Sequence, residues 1–220
     1  MTNKHYLSTR GIMYLLTRFG GSILRRHSFN HKYHSGDWEV LDREHTRTVV
    51  EFVDNYLRGG DILDMGCGPA HLAQALGLDR FSSYTGIDVS DVALQMAAKR
   101  TNNKVSLQLA EMENAVINKR YDVILFEESL YFLPFFKCRT ILHQYTQYLK
   151  RNGVFIVTII DVKRFQKLIN LIHSEFAVKE ESIIDERGRY LVVFSSKCQL
   201  APNKIIKPRK KISLKLEPGY

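Results

Sequence analysis

Short apolar runs alternate with amphipathic segments along most of the chain, and this alternation predicts strands and helices. Seven runs have the length and composition of strands: residues 61–65, 84–88, 105–109, 121–126, 154–160, 176–183 and 190–196. Five segments carry apolar residues at helical spacing: residues 43–57, 70–78, 91–100, 137–150 and 163–173. Ser90 directly precedes the third of these helices, where a serine hydroxyl commonly caps the free backbone N–H groups.

Strands that alternate with helices predict a parallel sheet, because each helix returns the chain to the edge at which the strand began. Only six residues, 184–189, join the last two strands. This connection is too short for a parallel return and predicts an antiparallel pair. The predicted fold is therefore α/β, with a doubly wound, mainly parallel seven-stranded sheet, one antiparallel edge strand and helices on both faces.

The N-terminal segment is predicted to lie outside this core. Residues 11–26 have apolar side chains at helical spacing on one side, which predicts an amphipathic helix that either docks on the domain or lies on a membrane surface. Residues 27–40 are polar and aromatic and are predicted to form a loop. The chain thus divides into an N-terminal segment (1–40), a central domain (41–200) and a basic tail (201–220).

The composition is that of a globular protein, with 45% hydrophobic and 25% charged residues. The net charge of +9 is confined to the ends of the chain. Residues 1–36 carry six basic residues and no acid, residues 202–220 carry six basic residues and one acid, and the stretch between them is at about −2. Proteins that bind nucleic acid more often carry a basic stripe on the folded domain, so a nucleic-acid partner stays open but is not favoured.

The sequence predicts a cytoplasmic protein. No apolar run approaches the roughly 18 residues that span a bilayer, and the N-terminus lacks a signal-peptide pattern. The three cysteines show no CxxC spacing, which argues against disulfides and a zinc site. No metal is predicted from the histidines either, because their spacing is irregular: His27, His31, His34 and His45.

The segment that is most informative about function joins the first predicted strand to the next helix through Asp-Met-Gly-Cys-Gly at 64–68. Glycines let a backbone approach a ligand closely, and ligands of open α/β sheets bind beyond the carboxyl ends of the strands. A dinucleotide is disfavoured, because Asp64 would repel a pyrophosphate and His71 stands where the dinucleotide fingerprint has its third glycine. Asp88, at the end of the next strand, suits the two hydroxyls of an adenosine ribose.

Five motifs occur along the central domain, at 64–68, 88–89, 110–112, 121–128 and 149–154. In order and spacing they resemble the motifs of the class I S-adenosylmethionine-dependent methyltransferases, over about residues 61–196. The resemblance implies S-adenosylmethionine as the cofactor and nine residues that bind it: Asp64, Gly66, Cys67, Gly68, Asp88, Val89, Glu111, Met112 and Glu127. In this assignment Val89 flanks the adenine, Glu111 replaces the aspartate that usually reads the adenine edge, and Cys67 is only the middle residue of Gly-x-Gly.

The sequence also departs from the family pattern. Glu127 stands where small or amide residues are common, and Phe132 stands where many relatives have a histidine. The Asn/Asp-Pro-Pro-aromatic signature of enzymes that methylate amino groups on nucleic acids and protein amides does not occur after the fourth strand. This absence counts against methylation of a nucleic-acid base.

The predicted activity is methyl transfer to an oxygen or nitrogen atom of a small molecule such as a sugar or a secondary metabolite. Glu128 and Tyr131 are the predicted catalytic residues, by contact with the acceptor, and a histidine of residues 31–34 is the alternative base. Tyr33 and Trp38 are predicted to cover the site from a lid at residues 27–40. Two alternatives stay open: methylation of RNA or protein guided by the basic arms, and a non-catalytic protein that binds S-adenosylmethionine.

Overall fold

The computed structural model describes residues 21–35 and 43–197, which form six helices and seven strands. The helices are α1 (Ser22–His34), α2 (Arg43–Leu57), α3 (His71–Leu76), α4 (Asp91–Ala98), α5 (Phe135–Tyr145) and α6 (Gln166–Glu175). The strands are β1 (Asp61–Met65), β2 (Ser83–Asp88), β3 (Val105–Leu109), β4 (Tyr121–Phe126), β5 (Leu149–Ile159), β6 (Phe176–Ile183) and β7 (Tyr190–Ser196). Short 3₁₀ helices lie at Leu130–Phe132 and Thr146–Tyr148.

The strands form one sheet in the order β3-β2-β1-β4-β5-β7-β6. The first five pair in parallel, whereas β7 is antiparallel to both β5 and β6. The predicted fold class is confirmed, and the strand of opposite direction lies second from the edge because β6 pairs outside it. The strand order reverses between β1 and β4, which creates the crevice where doubly wound sheets bind ligands.

Helices cover both faces of the sheet, as predicted. On one face α2 buries Val49, Val53 and Leu57, which recur every four residues and so share one side of the helix. On the other face α5 and α6 contribute Ile141 and Ile172 to a second apolar cluster. No helix in the described ranges is both long and apolar enough to cross a membrane.

The prediction of a loop at residues 27–40 is wrong for its first part, because α1 continues to His34. Within the described residues this helix begins at Ser22, so it overlaps only the end of the predicted helix at 11–26, and residues 11–20 lie outside the described part. The polar side chains that suggested a loop instead make tertiary contacts. Asn30, for example, hydrogen-bonds both Asp91 and Ser90 at the start of α4.

Other element bounds shift by a few residues. The predicted helix at 137–150 ends earlier, at Tyr145, because β5 begins at Leu149, where it pairs with Tyr121 across an irregular register. The predicted cap of α4 is confirmed, since the Ser90 hydroxyl accepts a hydrogen bond from the Ala93 N–H at 3.1 Å.

Candidate active site

The Gly-x-Gly turn that follows β1 takes a conformation that requires glycine. Gly66 and Gly68 have φ angles of +84° and +52°, a region that side chains make unfavourable. A β-carbon at Gly66 would lie 2.6 Å from the Ser129 β-carbon, and one at Gly68 would lie 2.8 Å from the Tyr33 hydroxyl. The Gly66 N–H donates to the Ile87 carbonyl at 2.7 Å, which ties the turn to the end of β2.

Asp88 is fixed at the end of β2 by the same turn. One carboxylate oxygen accepts a hydrogen bond from the Gly68 N–H, and the other accepts one from the Ser90 N–H, both at 2.8 Å. Burial raises the pKa of Asp88 to about 6, although these backbone donors lower it. Each carboxylate oxygen can accept more than one hydrogen bond, so both retain capacity for a ligand's hydroxyls.

Asp64, in the middle of the sheet, has an unsatisfied oxygen. Its side chain accepts a hydrogen bond from the Tyr84 hydroxyl, whereas its second oxygen is buried and has no partner among the described residues. Burial, together with the negative charges of Glu127 and Asp88, raises the pKa of Asp64 to about 8. A group of buried carboxylates that repel one another favours a cationic ligand.

One cavity of about 680 Å³ brings most of the predicted residues together. All nine predicted cofactor residues line it, and so do Glu128 and Tyr33. Several residues that line the same cavity were not predicted from the sequence: Arg25, Phe29, Arg47, Val50, His71 and Ser129. Trp38 lies outside the described residues.

Helix α1 forms one wall of the cavity through Arg25, Phe29 and Tyr33, which lie four residues apart and therefore on one face. The buried Arg25 guanidinium pairs with Glu111, the predicted adenine-edge residue. The ring of Phe29 lies edge-on to that of Phe132, with centroids 5.3 Å apart. Burial, followed by the charge of Asp88, raises the pKa of the Tyr33 hydroxyl well above its usual value. In the sequence, the spacing of these three residues by four positions was the signal that could have placed them on one face of a helix.

Glu128 occupies a strained position after β4, with a φ angle of +46°. Its N–H donates to the Thr158 hydroxyl at 2.8 Å. One of its carboxylate oxygens lies 3.1 Å from the Arg189 Nε, and both side chains are buried. The Arg189 Nε also lies 3.2 Å from Asp185. Glu128 is thus an ion-paired carboxylate that faces the cavity.

Tyr131 does not line the main cavity. Its ring is stacked on that of Phe165, with centroids 4.6 Å apart, and it borders a second cavity that also contains Glu128. The predicted contact between Tyr131 and the acceptor can therefore occur only in this second cavity.

Thiol reactivity and metal coordination receive little support from the described side chains of this site. The Cys67 thiol is buried, and burial raises its pKa well above the usual value, so the reactive thiolate is disfavoured. Among the residues that the structure describes, no group of three histidine, cysteine, aspartate or glutamate side chains is arranged to hold a metal ion.

The sequence model of a methyltransferase domain family matches residues 57–202, more than half of the chain. The chain belongs to this methyltransferase family. The match confirms the resemblance to class I S-adenosylmethionine-dependent methyltransferases, and with it the predicted cofactor.

Two curated proteins are similar to this methyltransferase-family chain over part of its length. The malonyl-[acyl-carrier protein] O-methyltransferase of Acetivibrio thermocellus is 25% identical over 150 residues, which cover 66% of this chain and 52% of that protein. The ribosomal protein L11 methyltransferase of Thermosipho africanus is 32% identical over 133 residues, which cover 54% of this chain and 45% of that protein. The chain spans about half the length of the curated relatives that it matches.

Solved methyltransferase structures share the fold. The N-methyltransferase NodS of Bradyrhizobium japonicum, in complex with S-adenosyl-L-homocysteine, has a TM-score of 0.62 and 17% identity, and the match covers 73% of this chain and 91% of NodS. The 1,6-didemethyltoxoflavin-N1-methyltransferase of Burkholderia thailandensis has a TM-score of 0.66 and 17% identity, with coverage of 78% and 86%. At these identities the likeness shows the fold alone.

Proposed function

We propose that this protein transfers the methyl group of S-adenosylmethionine to an oxygen or nitrogen atom of a small molecule. The observation that carries the proposal is the acidic cavity beyond β1 and β2, in which an Asp64 oxygen is buried without a partner among the described residues. A ligand that brings an ammonium and a sulfonium would neutralise this group of carboxylates.

Two aspartates suit different parts of this cofactor. Asp88 retains acceptor capacity on both oxygens for the two ribose hydroxyls. An ammonium bound beside Asp64 and Glu127 would lower the raised pKa of Asp64 and pair with its ionised carboxylate. When bound, the cofactor supplies an electrophilic sulfonium methyl, so the protein mainly has to exclude water and align the acceptor.

The wall formed by α1 supports a small acceptor. Arg25, Phe29 and Tyr33 line one side of a cavity of about 680 Å³, a volume that suits a small molecule beside the cofactor better than a polymer. The names of the curated relatives describe two other acceptors, a malonyl-[acyl-carrier protein] and ribosomal protein L11. One structural neighbour is named for the small molecule 1,6-didemethyltoxoflavin.

We assign Glu128 the role of orienting the acceptor. Because Arg189 stabilises its anionic form, Glu128 suits a hydrogen bond from an acceptor hydroxyl or amine better than removal of a proton. An amine that is neutral when it attacks requires no strong base. Tyr131 would then support the acceptor from the second cavity, beside Glu128.

A second candidate function rests on the basic ends of the chain, which carry its net positive charge. They suit a polyanionic acceptor such as RNA, in which case acceptor binding would weaken steeply as salt rises.

The proposal is tested by incubating the full chain with methyl-labelled S-adenosylmethionine and three acceptor pools: small metabolites, total RNA and total protein. Mass spectrometry identifies the labelled product. We expect label in the small-metabolite pool. Label confined to RNA or protein would favour the second candidate, and cofactor binding without any labelled product would indicate a non-catalytic protein.

A further inference from the structure

A second cavity, of about 660 Å³, lies beyond the carboxyl ends of β4 and β5. It shares Glu128 and Phe132 with the main cavity, so the two are adjacent. Aromatic side chains form one side of it. The rings of Tyr131 and Phe132 have centroids 5.1 Å apart and are tilted by 36°, and they give an apolar side to a cavity that Glu128 also lines.

Cationic side chains from two separate segments border this cavity. Lys163 and Arg164 follow β5, and Arg187 lies in the turn between β6 and β7. All three are exposed at the surface. Neither Lys163 nor Arg187 forms an ion pair with any residue that the structure describes, whereas the Arg164 guanidinium lies 5.5 Å from the centroid of the Phe165 ring.

The acids of the second cavity do not balance these cations. Glu128 is already compensated by the buried Arg189 at 3.1 Å. Asp161 is the other acid, and one of its carboxylate oxygens accepts a hydrogen bond from the backbone N–H of Arg164 at 3.0 Å. Lys163 and Arg187, which have no ion-pair partner among the described residues, therefore outnumber the one exposed acid, and the local charge is positive.

The two cavities therefore differ in the sign of their charge. The main cavity contains Asp64, Asp88 and Glu127 and suits a cationic ligand. The second cavity, which shares Glu128 and Phe132 with the main cavity, has positively charged side chains at its exposed edge. Complementary potentials determine which ligands enter a site and in which orientation.

We infer that the methyl acceptor is a small molecule with an anionic group, a carboxylate or a phosphate, held by Lys163, Arg164 and Arg187. The apolar part of the acceptor lies against Tyr131 and Phe132, with the atom to be methylated directed towards Glu128. This inference rests on the proposed function and adds the charge of the substrate to it.

The test uses benzoate, phenyl phosphate and benzamide as probes, with the protein saturated with S-adenosylhomocysteine. Ligand-detected NMR measures binding to the wild type, to the K163E/R187E double variant and to R151E. Arg151 is a matched control, because it is exposed and lies near the start of β5, at the opposite end of the strand from the cavity. Benzoate and benzamide have similar shapes and differ in charge.

We expect the wild type and R151E to bind benzoate and phenyl phosphate, and benzamide to bind about tenfold more weakly or not at all. The K163E/R187E double variant should no longer bind benzoate or phenyl phosphate. Equal affinity for benzamide and benzoate, or unchanged binding of the anions by K163E/R187E, would overturn the inference. Tighter binding of phenyl phosphate than of benzoate indicates that the methyl acceptor carries a phosphate, and tighter binding of benzoate indicates that it carries a carboxylate.

Two further measurements distinguish a small anionic acceptor from an RNA acceptor and from a protein that lacks the cofactor site. Calorimetry with S-adenosylhomocysteine is run on the wild type and on every variant. If the wild type does not bind S-adenosylhomocysteine, the proposed function is contradicted. If it does, the probe experiment tests the inference about an anionic acceptor separately. A single-stranded RNA oligonucleotide is added as a competitor. Binding of that RNA through Lys163 and Arg187, without binding of benzoate or phenyl phosphate, would contradict a small anionic acceptor.

Discussion

Asp64 and Asp88 end neighbouring strands, and burial makes both carboxyls hold their protons more tightly than free aspartates do. The pKa of Asp64 is raised to about 8 and that of Asp88 to about 6. Between an unfolded-state pKa of about 4 and these values, the folded state binds more protons than the unfolded chain. Their contribution to stability is therefore fully present below about pH 4 and is lost as the pH rises through the folded values.

The resulting prediction concerns the cofactor-free protein. The contribution of these two aspartates to its free energy of unfolding decreases from about pH 5 to about pH 9. Asp64→Asn removes the titrating group with little change in shape, so the pH dependence of this variant should be flatter. Chemical denaturation at several pH values measures both slopes. Parallel profiles for the wild type and the variant would show that Asp64 ionises normally.

A second prediction for a single residue concerns Asp88→Asn. The variant loses the charge that suits two ribose hydroxyls and places an amide group against the Gly68 or Ser90 N–H. Because charge-assisted hydrogen bonds contribute roughly 1.5–3 kcal/mol each, we expect affinity for S-adenosylhomocysteine to fall about tenfold or more in calorimetry. Asp79→Asn, at a position before β2, is the control. A folded Asp88→Asn protein that retains wild-type affinity would show that the ribose is bound elsewhere.

Helix α1 is the element that encloses the main cavity, and its described attachments are largely polar. They include the pair between Arg25 and Glu111, and the hydrogen bonds of Asn30 to Asp91 at 2.9 Å and from Ser90 at 2.7 Å. Phe29 adds an aromatic contact. An element held in this way opens at lower cost than the sheet does, so the part of α1 that falls within the predicted lid at 27–40, residues 27–34, is suited to move as a lid.

The prediction is that Asn30→Ala loosens this helix. Loss of about 1 kcal/mol of hydrogen bonding makes amide exchange in residues 22–34 roughly fivefold faster, and saturating S-adenosylhomocysteine should slow it again. His27→Ala, at an exposed position of the same helix, is the matched control. If exchange in α1 is unaffected both by Asn30→Ala and by the cofactor, the helix is a fixed wall rather than a lid.

Helix α1 was less predictable from the sequence than the other helices for a physical reason. Helix prediction relies on an apolar face, whereas the inward face of α1 carries Arg25 and Asn30 as well as Phe29. Their partners, such as Glu111, are distant in the chain, so no local pattern indicates the contact. The strands β1 and β4 are largely buried and carry consecutive apolar residues at 62–63 and 123–126, and these could be predicted directly.

Across the molecule as a whole, the candidate site could be predicted where backbone geometry dictates the residue. The turn requires Gly66 and Gly68, Asp88 at the strand end accepts a hydrogen bond from that turn, and all three residues line the main cavity. Tyr131 was harder to place, because a short 3₁₀ helix turns its ring onto Phe165. Spacing along the sequence does not report that orientation.

The distribution of charge leads to a prediction about the basic tail. The family match ends at residue 202, and within the described part of the chain no residue that lines the main cavity comes from beyond Leu133. Deletion of residues 203–220 should therefore leave the affinity for S-adenosylhomocysteine within about twofold, because every described residue that lines the main cavity precedes the tail in the chain. Calorimetry on the shortened chain measures this, and a large loss of affinity would show that the tail contributes to the site.

The acidic cavity beyond β1 and β2 is expected to bind S-adenosylmethionine and not a dinucleotide, and every proposal made above depends on this choice of ligand. Calorimetric titration of the full chain with S-adenosylhomocysteine, and separately with NAD, distinguishes the two. We predict saturable binding of one S-adenosylhomocysteine per chain and no binding of NAD, since Asp88 and Glu127, which line the same cavity, disfavour a pyrophosphate. Saturable binding of NAD together with no binding of S-adenosylhomocysteine would contradict the assignment of the cofactor.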